Sequence, residues 1–326
     1  MRALMTQAGQ RLSVDCPVSW VATLLTEACP GAWGPPDGQR ADIELVVRAD
    51  GHDSDVDGWE PVTRGAFRRG GSVFLRNACG SGFDLLVRTG DRLRVEASWR
   101  PPRRDRLAAL ALRSRFHLLV RAALVQYPAM WWAGRLAQAP LHAAAIELDG
   151  VVALLAGPGG IGRSTLLLDA LTAGGRACSD NLCVGDGDAV HGLVEPVRVE
   201  GGSGRRMPHG RRELSLPSRV PSLVPDRLIV LRRDGLPYST VRPLDPARAA
   251  EMTVAGTYMA GELRRYWAFA ATLALGTGVG PAHPPVGAVA CALAERVPGW
   301  EVVLGTRPTV GLRELLAACD TTAVTR

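Results

Sequence analysis

A glycine-rich loop is the part of this sequence whose residue types and spacing could do chemistry. It reads Gly157-Pro158-Gly159-Gly160-Ile161-Gly162-Arg163-Ser164. Glycines let backbone N–H groups approach an anion at the start of a helix, where the helix dipole also favours negative charge. The spacing therefore predicts a phosphate-binding P-loop, with the Ser164 hydroxyl placed to bind Mg²⁺. The candidate nucleotide-binding residues are Gly157, Gly159, Gly160, Gly162, Arg163, Ser164 and Thr165.

Position 163 departs from the P-loop pattern, which has lysine there. A lysine ammonium is a compact charge, whereas the guanidinium of Arg163 is larger, planar and forked. Misplacing a reacting group by about 1 Å can slow a reaction roughly a hundredfold. All 38 basic residues of the chain are arginine, so biased codon usage explains how the change arose. We expect Arg163 to attract phosphate but to position it less well for transfer.

The loop is flanked by the elements that a P-loop requires. Residues 143–148 and 151–155 are apolar runs separated by Asp149-Gly150, a strong signal for a type I′ hairpin turn. The second run leads into the loop, and residues 164–171 then have the pattern of a helix. Strand, glycine loop and helix in this order are the context in which the motif binds phosphate.

The rest of the chain after the loop alternates predicted helices and strands. Residues 227–231 and 301–304 are predicted strands, and residues 261–274, 286–297 and 311–318 are predicted helices. A further helix is predicted at 246–255, with Asp245 as its N-cap and Pro246 in its first turn. We therefore assign residues 141–326 to one α/β domain.

The front of the chain has a different character. Residues 44–47, 73–76, 83–88 and 93–98 are predicted strands separated by turn signals, which indicates a small, mainly antiparallel β domain over residues 1–102. Residues 103–140 form a predicted helical connector, with Leu107, Leu110 and Leu112 on its buried face. The pair Trp131-Trp132 is expected in the core rather than in a docking surface.

Composition narrows the possible functions. Hydrophobic residues make up 47% and charged residues 21%, as in folded soluble proteins. No run approaches the roughly 20 apolar residues that cross a bilayer, and no signal peptide is evident, so we expect a cytoplasmic protein without a membrane partner. The seven cysteines lack metal-site spacing. A diffuse net charge of +6 does not indicate nucleic acid, but it is compatible with an acidic peptide.

One basic stretch leaves two interpretations open. Residues 205–212 contain four arginines and follow a Gly-rich segment. The pattern is typical of a solvated, mobile loop, although it could also contact a phosphate or an acidic peptide.

Residues 141–184 resemble HPr kinase/phosphorylase and its relatives. The resemblance is carried by Leu141-His142-Ala143-Ala144-Ala145-Ile146-Glu147-Leu148-Asp149-Gly150, by the loop, and by Ala177-Cys178-Ser179-Asp180-Asn181. It implies an α/β fold with a C-terminal HPr-kinase-like P-loop domain and a smaller N-terminal, mainly β domain. It also implies ATP and Mg²⁺ as cofactors, Ser164 and Asp180 as metal ligands, and Asp180 and His142 as catalytic residues.

The same resemblance exposes two further departures. Asn181 replaces the second acid of the family's Asp-Asp pair, and an amide can neither accept a proton as a base nor bring negative charge. The family's later arginine-glycine signature is absent, and Gly192-Leu193-Val194-Glu195-Pro196 stands in that region. Taken without the resemblance, His142 would be a structural histidine and Asp180-Asn181 a turn cap.

The domain arrangement also resembles kinase-like proteins of ribosomal-peptide pathways, namely lasso-peptide kinases and the recognition proteins of daptide pathways. Two functions are therefore open. The first is recognition of a precursor peptide through its leader, for a pathway modifying enzyme, with a degenerate nucleotide site; exposed strand edges of the front domain could accept the peptide. The second is an ATP-dependent Ser/Thr kinase acting on a small peptide or protein. The sequence leaves the enzymatic status and the oligomeric state undecided.

Overall fold

The computed structural model describes residues 1–49, 56–201, 204–207, 210–306 and 310–324 as a mixed α/β protein with several sheets. The strands are β1 (Arg2–Gln7), β2 (Gln10–Asp15), β3 (Ile43–Val47), β4 (Glu60–Thr63), β5 (Ala66–Arg69), β6 (Ser72–Leu75), β7 (Phe83–Thr89), β8 (Leu93–Trp99), β9 (Ala139–Leu141), β10 (Ala143–Leu148), β11 (Val151–Ala156), β12 (Arg176–Ser179), β13 (Cys183–Gly185), β14 (Val190–Gly192), β15 (Val197–Glu200), β16 (Arg205–Arg206), β17 (Arg211–Leu214), β18 (Ser222–Leu223), β19 (Arg227–Arg232), β20 (Thr240–Leu244) and β21 (Gly299–Val303). The helices are α1 (Ser19–Ala28), α2 (Arg103–Ala111), α3 (Arg113–Val120), α4 (Tyr127–Ala133), α5 (Arg163–Thr172), α6 (Pro246–Tyr258), α7 (Arg264–Thr277), α8 (Val286–Arg296) and α9 (Leu312–Val324).

The chain forms two compact units, whose boundaries differ from the predicted ones. The first unit contains Met1–Leu136, Glu200–Ser215 and Arg265–Pro284, and the second contains Ala137–Val199, Leu216–Arg264 and Pro285–Arg326. The predicted connector thus belongs mostly to the first unit, together with two later segments. Composition changes along the chain could not reveal this grouping, because it depends on contacts between distant segments.

The first unit is built on a sheet with the order β1-β2-β3-β8-β7-β6-β5-β4 among the described residues. Most neighbours are antiparallel, as predicted, but β3 pairs in parallel with both β2 and β8. At one edge, Leu4 of β1 forms two backbone hydrogen bonds with Gly34, one in each direction. At the other edge, β4 contains Pro61 and a register shift against β5.

The predicted helical segment of the first unit is only partly buried. A π-helical turn, Arg121–Gln126, joins α3 to α4. Trp131 and Trp132 are buried within α4, which confirms their prediction as core residues. The prediction was wrong for α2, however. Leu107, Leu110 and Leu112 expose 67%, 78% and 49% of their surfaces. Their helical spacing reflects an apolar face that nothing in the described structure covers.

A cluster of charged residues is buried in the first unit. The guanidinium of Arg121 donates to the carbonyl of Ala28 and to Glu213, and Arg205 donates to both Glu213 and Nδ1 of His117. Burial, followed by the charge of Arg205, lowers the pKa of His117 to about 4. The histidine is therefore neutral at pH 7.

The basic stretch at 205–212 is more ordered than predicted. Strands β16 and β17 pair as an antiparallel hairpin, and Arg205 forms an ion pair with Glu213 across it at 2.6 Å. Pro208 and His209 lie outside the described residues. The prediction of a solvated loop was therefore wrong for the strands that flank this turn.

The second unit contains the predicted glycine loop. Its larger sheet has the order β12-β10-β11-β19-β21-β20, with β11, β19 and β21 parallel, and a smaller sheet has the order β18-β14-β13-β9. The predicted hairpin is present, since Leu148 pairs with Val151 and the turn residues Asp149 and Gly150 have φ of 52° and 80°. The predicted cap of α6 is also present, because the Asp245 carboxylate accepts from the Arg248 amide at 2.9 Å.

The core of the second unit holds α5 and α9 against the larger sheet. It includes Leu155, Leu167, Ile229, Leu231 and Leu315, each nearly without exposed surface. Cys178 and Cys183 are buried in this unit. None of the helices in the described ranges combines the length and the apolar character needed to cross a bilayer.

Candidate functional site

The glycine loop joins the end of β11 to the start of α5. Strand β11 lies in the interior of the larger sheet and pairs in parallel with β19. The loop therefore leaves the carboxyl end of a parallel strand, which is where α/β sheets place ligand sites. Pro158, Gly159 and Gly160 are exposed, whereas Ile161 is buried in the core and anchors the loop.

Three glycines of the loop have backbone conformations that other residues adopt at a cost. Gly157, Gly160 and Gly162 have φ of 144°, 78° and 118°. At Gly157 a Cβ atom would also lie 2.7 Å from the carbonyl oxygen of Leu231 on the neighbouring strand. At Gly160 it would meet nothing within 4 Å. The first glycine is therefore required by packing, while the tip of the loop is open.

The loop presents backbone donors that have no acceptor among the described residues. The amides of Thr165 and Leu166 donate to the carbonyl of Gly162, at 3.1 Å each. Within the described ranges, the N–H groups from 159 to 164 donate to no backbone or side-chain acceptor. A row of unused amides at a helix N-terminus is the arrangement that binds an anion.

Arg163, at the lysine position of the motif, turns toward the protein. It is 5% exposed. Its Nη1 donates to the carbonyl oxygens of His142 and Gly157, at 2.7 and 2.8 Å. Its Nη2 donates to Nε2 of His142 at 2.5 Å and to Oδ1 of Asn181 at 2.9 Å. Both Nη groups thus contact protein atoms, and Nε–H is the part of the guanidinium that has no acceptor among the described residues.

Burial and the neighbouring guanidinium of Arg163 both favour the neutral form of His142. This residue lies between β9 and β10, and its amide donates to the Thr257 hydroxyl at 3.1 Å. Burial, followed by the charge of Arg163, lowers the pKa of the ring to about 4. Nε2 of the ring contacts two groups, Nη2 of Arg163 at 2.5 Å and Oδ1 of Asn181 at 2.9 Å. Nδ1 has no partner among the described residues.

Asp180 and Ser164 are hydrogen-bonded to each other. Asp180 follows β12, and its Oδ2 accepts from the Ser164 hydroxyl at 3.0 Å. Burial raises the pKa of Asp180, and the Ser164 bond and the charge of Arg163 offset only part of that rise. Oδ1 of Asp180 has no partner within the described part of the chain. The site therefore contains a buried carboxylate with one unused oxygen.

Several residues that shape the site were missed by sequence analysis. Oε1 of Glu195 accepts from the amides of Asn181 and Leu182, at 3.0 and 2.7 Å, and so holds the turn after β12. Arg198 donates to Glu262 at 2.8 Å. The departure from the family signature at 192–196 is the signal that could have drawn attention to Glu195. Glu262 carries no local signal, because it lies far from the loop in sequence.

The residues fit the phosphate part of a nucleotide better than they fit the transfer reaction. The unused amides and the Ser164–Asp180 pair are groups that would hold phosphate and Mg²⁺. The Nη groups of Arg163, however, already donate to the protein. The described residues contain no group of three or more His, Cys, Asp or Glu side chains that could hold a metal ion by itself.

Comparison with known proteins adds a structural likeness. No family model matches the chain, and no curated protein matches it. The chain is similar to the HPr(Ser) kinase/phosphatase from Coxiella burnetii, with 11% sequence identity and a TM-score of 0.29. The match covers 57% of this chain and 97% of the kinase/phosphatase chain. An identity and a TM-score this low do not assign the chain to a family.

Proposed function

We propose that this chain is a kinase-derived binding protein that recognises a precursor peptide, through its leader, in a ribosomal-peptide pathway. It presents the peptide to a pathway modifying enzyme, and its nucleotide site no longer transfers phosphate. The observation that carries the proposal is the engagement of both Nη groups of Arg163 by His142, Gly157 and Asn181.

Phosphoryl transfer depends on positioned cations that stabilise charge developing in the transition state. Arg163 is buried, and moving its guanidinium toward a phosphate would leave the carbonyls of His142 and Gly157 without a donor. Each buried polar group left unpaired costs about 1–3 kcal/mol. This cost opposes the rearrangement that a transfer reaction requires.

The loop itself is retained in a form that supports anion binding. Its left-handed glycines and unused amides do not depend on the identity of residue 163. The loop therefore supports binding of a phosphate group as a structural or regulatory ligand. In this proposal, nucleotide binding is separate from peptide recognition.

Strand addition is not the mode of peptide recognition that the first unit favours. Proline and register shifts at an edge strand are features that blunt pairing with another chain. Strand β4 has both, and β1 is bridged to Gly34. A groove on the surface of the unit is the better candidate.

The proposal is tested with candidate precursor peptides, taken from the short reading frames that flank this gene. We expect the fluorescein-labelled peptide to bind the purified full chain by fluorescence anisotropy, and binding to persist without nucleotide. Mass spectrometry after incubation with ATP and Mg²⁺ should show no added phosphate on the peptide. Absence of binding at high protein concentration would remove the recognition role, and stoichiometric phosphorylation would replace it with kinase activity.

The second candidate is an ATP-dependent Ser/Thr kinase acting on a small peptide or protein. It is favoured by one observation, Oδ1 of Asp180, which has no partner among the described residues and belongs to a carboxyl group whose pKa is raised by burial. In that role, Asp180 would accept the proton of the substrate hydroxyl, and Ser164 would bind Mg²⁺. Under this function, Arg163→Lys should raise phosphate incorporation, and Asp180→Asn should abolish it.

A further inference from the structure

Arg233 is a charged residue beside the glycine loop that the sequence patterns did not single out. It follows β19, whose carboxyl end lies next to that of β11, since Val230 pairs with Ala156. Its Nη2 lies 3.5 Å from the position that a Cβ atom would occupy on Gly162. Gly162 immediately precedes α5, so this guanidinium lies at the N-terminus of the helix that follows the loop.

The direction of Arg233 follows from the alternation of side chains along β19. Leu231 packs in the core with α5, whereas the side chain of Arg232 donates to Glu301 on the other face of the sheet. Successive side chains of an extended chain point to opposite faces. Arg233 therefore returns to the face that carries α5, and its long side chain reaches the loop.

The side chain of Arg233 is available to a ligand, unlike that of Arg163. It is exposed, and no ion pair or hydrogen bond joins it to the residues that the structure describes. The adjacent acid, Asp234, accepts from the amide of Leu236 at 3.0 Å within its own turn. Both Nη groups of Arg163, by contrast, contact protein atoms. Of these two arginines, Arg233 is the one that can offer its forked donors to a ligand on the loop.

Asp180 is a second, independent feature that points to a ligand at the loop. The residue is 4% exposed, and its Oδ2 accepts from the hydroxyl of Ser164 in the first turn of α5, which directs the carboxyl group to the loop. Its Oδ1 has no partner in the described part of the chain. Buried polar atoms are nearly always bonded to protein, water or a ligand. A cation carried by a phosphate group, or a proton on the carboxyl, lets this oxygen lie beside an anion.

We propose that Arg233 is the cation that holds a phosphate group on the glycine loop, in the role that the P-loop motif gives to residue 163. The inference rests on the proposed retention of phosphate binding by the loop, and it names the residue that supplies the positive charge. A guanidinium pairs with two phosphate oxygens at once, while the unused amides of the loop donate to the others. Arg163 then has a structural role, because it holds His142 and Asn181 in place.

The exposure of Arg233 agrees with binding that is not followed by transfer. Charge in contact with water is screened, so an exposed guanidinium attracts phosphate but contributes little of the preorganised field that a transfer reaction needs. The terminal phosphate of a nucleotide and free inorganic phosphate share the chemistry that this site recognises. Titration with both kinds of ligand separates the two sources.

Three substitutions of Arg233 test the assignment, and each leaves the core untouched because the residue is exposed. Arg233→Ala removes the cation, Arg233→Glu reverses its charge, and Arg233→Lys keeps the charge but loses the forked donors. Arg64→Ala and Arg64→Glu, at an exposed position of the first unit, are the matched controls. Thermal unfolding without ligand should be the same for the wild type and all of these variants.

Isothermal titration calorimetry of the full chain with ATP·Mg²⁺, pyrophosphate and inorganic phosphate measures the effect. We expect Arg233→Ala to raise the Kd of each ligand that the wild type binds by at least about tenfold, and the controls to change it by less than about twofold. Arg233→Lys should fall between the wild type and Arg233→Ala, and Arg233→Glu should bind most weakly. Tighter binding of ATP·Mg²⁺ than of the other two ligands would identify the phosphate as that of a nucleotide, and similar Kd values would identify it as free phosphate.

Two results would overturn the inference. Arg233 variants that bind these ligands as tightly as the wild type would assign the role to another group, with phosphate binding by the loop intact. A wild type that binds none of the three ligands would remove phosphate binding together with the role of Arg233. Peptide recognition is tested separately, because Arg233→Glu should bind the candidate precursor peptides with the wild-type Kd in the anisotropy assay. Failure of the wild type to bind any peptide would remove the recognition role and leave the calorimetric result valid.

Discussion

Nη2 of Arg163 donates a hydrogen bond of 2.9 Å to Oδ1 of Asn181. These are the two positions at which the sequence departs from the lysine of the P-loop motif and from the second acid of the kinase-like pair. The residue at each of these two positions is thus a hydrogen-bond partner of the residue at the other.

The first prediction concerns the fit of Arg163. Arg163→Lys should lower the free energy of unfolding by about 1–3 kcal/mol, because an ammonium cannot reach all four acceptors and leaves at least one of them unpaired. Urea denaturation monitored by circular dichroism measures the change. Arg64→Lys, at an exposed position, is the control and should stay within about 0.5 kcal/mol of the wild type. Equal stability of the Arg163 variant would show that the four contacts contribute nothing.

The second prediction separates two glycines of the loop. Gly157→Ala should destabilise the protein by at least about 2 kcal/mol, because its φ is 144° and its Cβ would lie 2.7 Å from the Leu231 carbonyl. Gly159→Ala should be nearly neutral, since no atom lies within 4 Å of the added group. Thermal and urea unfolding of both variants provide the measurement. Similar losses in the two would contradict the loop conformation.

The third prediction concerns the bond between Ser164 and Asp180. Ser164→Ala should destabilise the protein, because it leaves a buried carboxylate with fewer donors. Asp180→Asn should be tolerated better, since burial already disfavours the charged form of that carboxyl. In a double-mutant cycle, the coupling energy should exceed about 0.5 kcal/mol. Additive losses would show that the bond does not contribute to stability.

The fourth prediction concerns His117 and acid stability. In the folded protein its pKa is about 4, below the ordinary value of 6.5. Between these values the unfolded chain binds more protons, so the free energy of unfolding should fall as the pH drops from about 6.5 to 4. Urea unfolding at pH 7 and pH 5 tests this, and His117→Gln should reduce the loss between the two. A variant with an unchanged loss would assign the acid sensitivity to other groups.

Local patterns predicted much of the second unit. The Asp149-Gly150 turn, the strand before the loop, the helix after it and the Asp245 cap each depend on residues close together in sequence. All of them are present in the structure. The loop itself was predictable for the same reason, because its glycines and its serine are consecutive.

Features that depend on distant residues were not predicted. The guanidinium of Arg163 is directed by residues 21 positions before it and 18 after it. Parallel pairing of β3 with β2 and β8 likewise joins separate segments. For Leu107 and Leu110, the apolar spacing was interpreted correctly as one helical face, but spacing cannot tell whether that face is covered.

The interlocked contacts of Arg163 have a consequence for how this site can change over time. His142, Arg163 and Asn181 come from separate segments, and their atoms Nε2, Nη2 and Oδ1 contact one another. A substitution at any one of them leaves the other two mismatched, so a step back toward lysine is penalised until its neighbours change as well. Among relatives of this chain, the three positions should therefore covary as a group, and an ancestor with lysine should have carried a different residue at position 181.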